Sequence, residues 1–325
     1  MRLGLTAGDP AGIGPEIVAA AIADGRLPAL GQLVVWAEPT LFGAVCRSVG
    51  LDPLPSDPAA PVSLAPVEVG PIPSDFAPGT PSRFTGAVAA RSIEAAARAA
   101  LAGDVDAIVT APISKTALLA AGVRHPGHTE MLAELAGAER VAMMFVAGDL
   151  RVTLATIHVP LARVAASLDG PGLQSAILLT RECLRKRLAI GDPRIALLGV
   201  NPHASEGGRF GDEEDRILRP VVEAARGRGW RVEGPFPADS FFVRRREEFD
   251  AVVAMYHDQG LIPVKLLSAG RAVNVTLGLP FLRTSVDHGT AFDIAGRGRA
   301  DAGSLVEAAR LAADWAGVDR SASPA

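Results

Sequence analysis

Cysteine and aromatic side chains are scarce in this chain, and neither sign of charge is in large excess. There are two cysteines in 325 residues, Cys46 and Cys183, far apart and in no CxxC or similar spacing. That excludes a disulfide framework and a cysteine-based zinc site, and leaves two small core hydrophobes of a reducing compartment. Aromatic content is 5% and the formal net charge is -4, so there is neither a basic stripe nor a row of stacking platforms for nucleic acid. No run approaches the ~20 apolar residues that cross a bilayer, because Arg, Asp and Glu interrupt the alanine-rich segments. The opening stretch MRLGLTAGDP enters a strand and a glycine turn without a charged leader and apolar signal core, so a cytoplasmic protein is expected. A composition of 49% hydrophobic and 21% charged residues suffices for a large core, divided between two lobes.

Short apolar runs alternate with segments of helical period, the pattern of a mainly parallel sheet with crossover helices. Strands are expected at 2–6, 32–36, 107–110, 141–146, 152–157, 195–200, 251–255 and 272–276. Helices are expected at 15–23, with Glu16 suited to the helix dipole, at 86–102, and from an Asp212 N-cap to Arg226 with Glu213 and Glu214 in its first turn. Residues 51–82 hold nine prolines and read as an irregular edge excursion. A change of lobe near residue 128, with a return near 276, gives one lobe of 1–127 and 276–325 and another of 128–275.

Three histidines each follow a β-branched apolar run: His158, His203 and His257. The carboxyl ends of strands in open α/β sheets are where ligands bind, so the three imidazoles could converge on one metal. Their wide spacing matches no local ligand motif, and hydrogen-bonded loop histidines fit equally well. Asp258 directly after His257, and Asp239 in a Pro-Ala-Asp-Ser turn, would supply carboxylates behind such ligands.

Other segments suit anions. The turn Gly8-Asp-Pro-Ala-Gly-Ile-Gly-Pro-Glu16 links a strand to a helix, but Ile17 stands where a dinucleotide fingerprint has its third glycine; a tight structural or site-lining turn is the stronger reading. Gly127-His128-Thr129-Glu130 opens a helix whose N-terminus would suit phosphate or carboxylate, with Thr129 as a plain N-cap the alternative. Lys265, Asn274 and Arg283 add two cations and an amide; a guanidinium between Leu282 and Thr284 needs an anion or an internal ion pair. Ser114, ahead of Lys115, reads first as a helix cap.

Read together, Gly8–Glu16, Ala111-Pro-Ile-Ser-Lys115, Gly127–Glu130, Asn201-Pro-His203, Tyr256-His-Asp-Gln-Gly260 and the run from Gly278 to Gly296 resemble the 4-hydroxythreonine-4-phosphate dehydrogenase family of pyridoxal phosphate biosynthesis. His288-Gly-Thr-Ala-Phe-Asp-Ile-Ala-Gly296 also resembles the cofactor loop of isocitrate and isopropylmalate dehydrogenases. The resemblance implies an α/β fold of two α/β/α lobes with a central cleft and a homodimer with shared active sites. It also implies NAD or NADP held by His288, Gly289, Thr290 and Asp293. Carried over position by position, the metal ligands fall on His158, His203 and His257, for one divalent ion such as zinc, magnesium, cobalt or manganese, with histidine from the second subunit completing each site. Substrate contacts fall on His128, Thr129, Lys265, Asn274 and Arg283, and Asp239, Asp258 and Lys265 are the implied catalytic set.

The implied reaction is oxidation, with decarboxylation, of 4-phosphooxy-L-threonine to 3-amino-2-oxopropyl phosphate. Two departures bear on this. Ser205 stands where the family more often carries glycine, and Leu261–Leu267 is closer to a paralogous branch acting on D-threonate or D-erythronate 4-phosphate. A relative that oxidises aromatic cis-dihydrodiols shares Asn201–Gly207 but lacks the His-Thr pair and the arginine, which disfavours a phosphate-free substrate. A three-histidine site could otherwise activate water, as in a metal-dependent hydrolase.

Overall fold

The computed structural model describes residues 1–125 and 127–322, and the side chains up to 318; Pro126 and residues 323–325 lie outside the described residues. Eleven strands are present in it: β1 (Arg2–Thr6), β2 (Gln32–Ala37), β3 (Val62–Pro66), β4 (Ala107–Thr110), β5 (Ala142–Ala147), β6 (Leu150–Leu154), β7 (Ile195–Leu198), β8 (Val232–Phe236), β9 (Ala251–Ala254), β10 (Val273–Leu277) and β11 (Leu282–Val286). Two compact units hold them, the first formed by Met1–Glu139 with Leu279–Arg320, the second by Arg140–Gly278.

In the first unit the strand order is β3-β2-β1-β4-β11, parallel throughout. Parallel strands covered on both faces must be apolar on both, which is why β1, β2 and β4 read as continuous runs: Leu3, Leu5, Leu33, Val35, Ile108 and Val109 are all inaccessible to solvent. The helix Arg83–Ala102 begins with a reciprocal cap between Ser82 and Thr85 and ends at Gly103 in the left-handed region, satisfying donors and acceptors at both ends. Ser114 caps Lys115–Ala120 by accepting from the Ala117 N–H at 3.1 Å, as expected.

The second unit runs β10-β5-β6-β9-β7-β8. Its β10, β5 and β6 are antiparallel neighbours; β6, β9, β7 and β8 are parallel. One face carries Ile177, Leu184, Leu197, Leu218 and Val253. The other carries Leu198, Phe241, Phe249, Ala254 and Val264.

Several expectations change. Residues 51–82 do contain a strand: β3 pairs with β2 from Val62 to Pro66, its prolines tolerated because an edge strand needs only half its N–H groups. β8 and β11 were also hidden, β8 by Gly234-Pro235 and β11 by three polar residues in succession, Arg283, Thr284 and Ser285. Asp212 is not a cap, since the segment opens as a π-turn, Glu214–Leu218, before the helix Arg219–Gly227. The units divide at 139/140 and 278/279, where 127/128 and 275/276 were expected, because the helix His128–Leu135 packs on the helix Arg83–Ala102. No described helix is long and apolar enough to cross a membrane.

Candidate active site

The functional side chains gather in separate places. In the first unit, Arg283 points from β11 to the end of β4, where its Nε and Nη2 donate to Thr110 Oγ1 at 3.2 and 2.7 Å. The guanidinium is buried, and burial pushes its pKa down to about 9, with the nearby Glu130 carboxylate pulling the other way. Across from it, His128 begins the helix His128–Leu135, and its Nε2 is buried with no hydrogen-bond partner. Burial, then the Arg283 charge, hold the imidazole well below the ordinary histidine range, so it is neutral at pH 7. Thr129 is buried beside it, and the N-cap is Gly127, not Thr129. A buried cation and an imidazole nitrogen without a partner form a site for a polyanion, whose oxygens would accept from both.

The cofactor-like loop lies in the same unit, between β11 and the helix Gly303–Ala322. His288 and Asp293 are exposed along it. The N-terminal glycine turn supports this loop and is not available to an anion. Ala11 N–H donates to Asp9 Oδ1 at 2.9 Å, Gly12 N–H to the Asp9 carbonyl at 2.9 Å, and Ile13 N–H to the Thr290 carbonyl at 3.0 Å. Its glycines serve close approach, since a Cβ on Gly12 would lie 3.0 Å from Thr290, and one on Gly14 would lie 2.1 Å from the Ala7 carbonyl oxygen. A cavity of about 510 Å³ borders the loop, lined by Glu16, Glu38, Phe42, Phe76, Gly296 and Arg297 among others, within the size range of small-molecule sites.

In the second unit the three histidines stand where expected, past the carboxyl ends of β6, β7 and β9, three neighbours in the parallel part of the sheet. The rings of His158 and His257 are 6.1 Å apart between centroids and tilted by 39°. With nitrogen-to-metal distances of about 2.0–2.1 Å, two rings at this separation can share one ion. His257 Nδ1 is 2.8 Å from Asp258 Oδ1, which leaves Nε2 as the free nitrogen. His203 instead lies 6.2 Å from the Phe210 ring, and among the described residues no three His, Cys, Asp or Glu side chains gather into a metal-binding group. One chain therefore presents a pair and a separate third imidazole. Asp239 is exposed on the helix Ala238–Arg244, which packs on the His203 turn. Lys265 is exposed on the helix His257–Ser268, while Asn274 on β10 has a buried Oδ1 without a hydrogen-bond partner.

The His203 turn is backbone-strained. His203, Ala204, Ser205 and Glu206 have φ of 54°, 51°, 66° and 45°, ahead of Gly207 and Gly208 at 69° and 89°. Each non-glycine residue there costs about 1–2 kcal/mol, and Ser205 occupies a conformation that glycine adopts freely. What holds the turn is a carboxylate that sequence reading took for a helix-dipole charge. Glu214, fully buried, accepts from the Val200 and Asn201 N–H groups at 2.8 Å each and from Asn201 Nδ2 at 2.8 Å. Gln259 ties the same strand ends together, donating to the Gly199 carbonyl and accepting from Met255 N–H, both at 2.7 Å. Glu214 and Thr110 stand in no quoted motif, and Glu16 and Gln259 stand inside quoted motifs that give no hint of these hydrogen-bonding roles.

The family model described as pyridoxal phosphate biosynthetic protein PdxA matches residues 35–312. The chain belongs to the PdxA family. Among relatives of this PdxA chain, the 4-hydroxythreonine-4-phosphate dehydrogenase of Geobacter metallireducens is 47% identical, covering 98% of this chain and 96% of its own. A crystal structure of 4-hydroxythreonine-4-phosphate dehydrogenase from Klebsiella pneumoniae is 40% identical with a TM-score of 0.85, covering 97% and 98%. A terephthalate 1,2-cis-dihydrodiol dehydrogenase from Burkholderia xenovorans is 35% identical with a TM-score of 0.68, covering 97% and 98%. Isocitrate dehydrogenase from Methylococcus capsulatus, 15% identical with a TM-score of 0.50 and covering 98% and 87%, shares the fold alone. PdxA and isocitrate dehydrogenase-like structures are the fold class that the family resemblance implied.

Proposed function

We propose that this chain is a 4-hydroxythreonine-4-phosphate dehydrogenase of pyridoxal 5'-phosphate biosynthesis, working in the cytoplasm. It oxidises the secondary alcohol of 4-phosphooxy-L-threonine, with loss of carbon dioxide, to 3-amino-2-oxopropyl phosphate. The observation that carries this reading is the buried Arg283 guanidinium, close enough for its charge to act on the imidazole of His128 with its buried, unpartnered Nε2, in a chain whose near relatives are named for a phosphorylated substrate. A phosphate-free dihydrodiol offers no phosphoryl oxygens to the buried Arg283 guanidinium and the His128 Nε2, which favours a phosphorylated substrate over the terephthalate-type reaction.

Arg283, His128 and Thr129 bind the phosphate and so orient the carbon to be oxidised. Lys265 and Asn274, in the second unit, are assigned to the same substrate by the family resemblance alone. His288, Gly289, Thr290 and Asp293 hold NAD or NADP, which accepts the hydride. His158, His203 and His257 are the ligands of one divalent ion, zinc, magnesium, cobalt or manganese. When bound there, such an ion would supply Lewis-acid chemistry, making the substrate alcohol more acidic. Asp258 orients His257 through Nδ1 and, with Asp239 and Lys265, handles protons near it. The enzyme is a homodimer whose second copy supplies the imidazole missing from each pair. The helix His257–Ser268 leaves Ile262, Leu266 and Leu267 exposed, an apolar stripe that a second copy would cover.

The test supplies NAD or NADP with 4-phosphooxy-L-threonine, D-threonate 4-phosphate or D-erythronate 4-phosphate and follows the reduced cofactor by absorbance. Turnover of the first supports the proposal. Preference for the others moves the enzyme to the paralogous branch, and product without reduced cofactor makes it a hydrolase.

A further inference from the structure

The loop from Asp287 to Ala302 has no helix or strand of its own, yet the cofactor reading requires it to hold a fixed shape. Glu16 is attached to it. This side chain, buried on the helix Gly14–Ala23, accepts one backbone N–H on each carboxylate oxygen: Gly296 N–H on Oε1 and Gly298 N–H on Oε2, the latter at 3.1 Å. Both glycines have positive φ, 75° and 62°, so their amides turn inward toward the helix while Arg297 between them stays exposed. Two charge-assisted bonds to a carboxylate kept from water are stronger than the neutral bonds that usually hold a loop. The other end of the loop is tied by the Ile13 N–H to Thr290 carbonyl bond, with Gly12 packed on the Thr290 side chain.

Between these ties lie Thr290 to Gly296, including Asp293. From this geometry we infer that Glu16 is the positioning residue of the nicotinamide-cofactor loop, and that the N-terminal glycine turn is the socket into which that loop fits. The inference rests on reading 288–293 as the cofactor site. Glu16 acts by fixing backbone amides, its two carboxylate oxygens being taken up by the Gly296 and Gly298 N–H groups. A glutamine has one acceptor oxygen, so Glu16→Gln keeps one tie and sets an NH2 group against the other N–H. Glu16→Ala keeps neither.

The experiment measures NAD and NADP binding by calorimetry, and amide hydrogen exchange across 287–302, in the full-length protein, its Glu16→Gln and Glu16→Ala forms, and Gly12→Ala. The last loosens the loop from its other end with Glu16 intact. Faster exchange confined to the loop is expected in each, with cofactor Kd raised about tenfold in Glu16→Gln and further in Glu16→Ala. The KM of the phosphorylated substrate should stay within about twofold, as for a change that alters one ligand's site only. Loop exchange that quickens while cofactor Kd stays put makes Glu16 a structural tie only and overturns the inference; so does unchanged exchange. If the unaltered protein binds neither nicotinamide cofactor, the cofactor reading itself falls, a result visible before any variant is made.

Discussion

The two units carry their strain in different currencies. In the first it lies in side chains: a guanidinium buried enough to be pushed down to about 9, and a neutral imidazole with an unpartnered nitrogen. In the second it lies in the backbone, as four successive non-glycine residues in the left-handed region from His203 to Glu206. Each form suits the ligand proposed for it. A polyanion repays buried donors directly, because its charge replaces the water they lost. A metal ion instead demands an aimed ring nitrogen, and an over-determined backbone turn is how a single imidazole is aimed.

The sharpest way to break this comparison is to remove the buried cation. Replacing Arg283 with methionine should reduce kcat/KM for the phosphorylated substrate about a thousandfold or more, within the 2–5 kcal/mol range of a lost buried charge contact. Urea unfolding of the same variant should show little loss of stability, or a gain, because the desolvation cost of a buried guanidinium disappears. A large loss of stability with activity retained would mean that Arg283 is a structural ion and that the first unit has no anion site.

The backbone counterpart is Glu214→Ala. It strips acceptors from Val200 and Asn201, and we expect about 3 kcal/mol of lost stability, read by urea denaturation, at 1–3 kcal/mol for each buried donor left unpaired. Zinc or cobalt affinity, measured by titration of the metal-free protein, should fall with it. Metal affinity unchanged in a folded Glu214→Ala protein would separate the strained turn from metal binding.

A pH series sharpens the side-chain half. His128 is neutral in the folded protein and has an ordinary pKa near 6.5 when unfolded. Below that pH the unfolded chain takes up a proton that the native state refuses, so stability falls as pH drops from 6.5 and is fully present above it. His128→Gln should flatten this slope, by about 1 kcal/mol at one pH unit below 6.5, in denaturation midpoints compared at pH 7.5 and 5.5.

The smallest effect expected is Ser205→Gly. Relief of one left-handed residue should add about 1 kcal/mol of stability, seen as a higher thermal midpoint, and should leave activity unaltered. A drop in stability would show that the buried Ser205 hydroxyl, 3.4 Å from the Gly208 amide, matters more than its backbone conformation.

How far these features could be read without coordinates differs between them. The strands that carry His158, His203 and His257 were legible because buried parallel strands are apolar on both faces, and the ligand edge follows from chain direction alone. β11 was not, since Arg283, the residue of most interest, breaks the pattern that would reveal it. Glu16 and Glu214 read as first-turn charges because helix position is local, whereas their acceptors' partners lie 280 and 13 or 14 residues away.

Composition and periodicity by themselves determined the α/β class and set the histidines just past strand ends, while the cofactor loop and the site roles came from the family resemblance. Composition and periodicity could do so because burial and chain direction impose a repeating local pattern. Only tertiary structure decided that the glycine turn packs on the 288–296 loop, that the buried Arg283 lies close enough for its charge to act on the His128 imidazole, and that His158 pairs with His257 while His203 stands apart. Those outcomes depend on where distant backbone amides and charges meet, and no local pattern encodes a meeting between residues far apart in the chain.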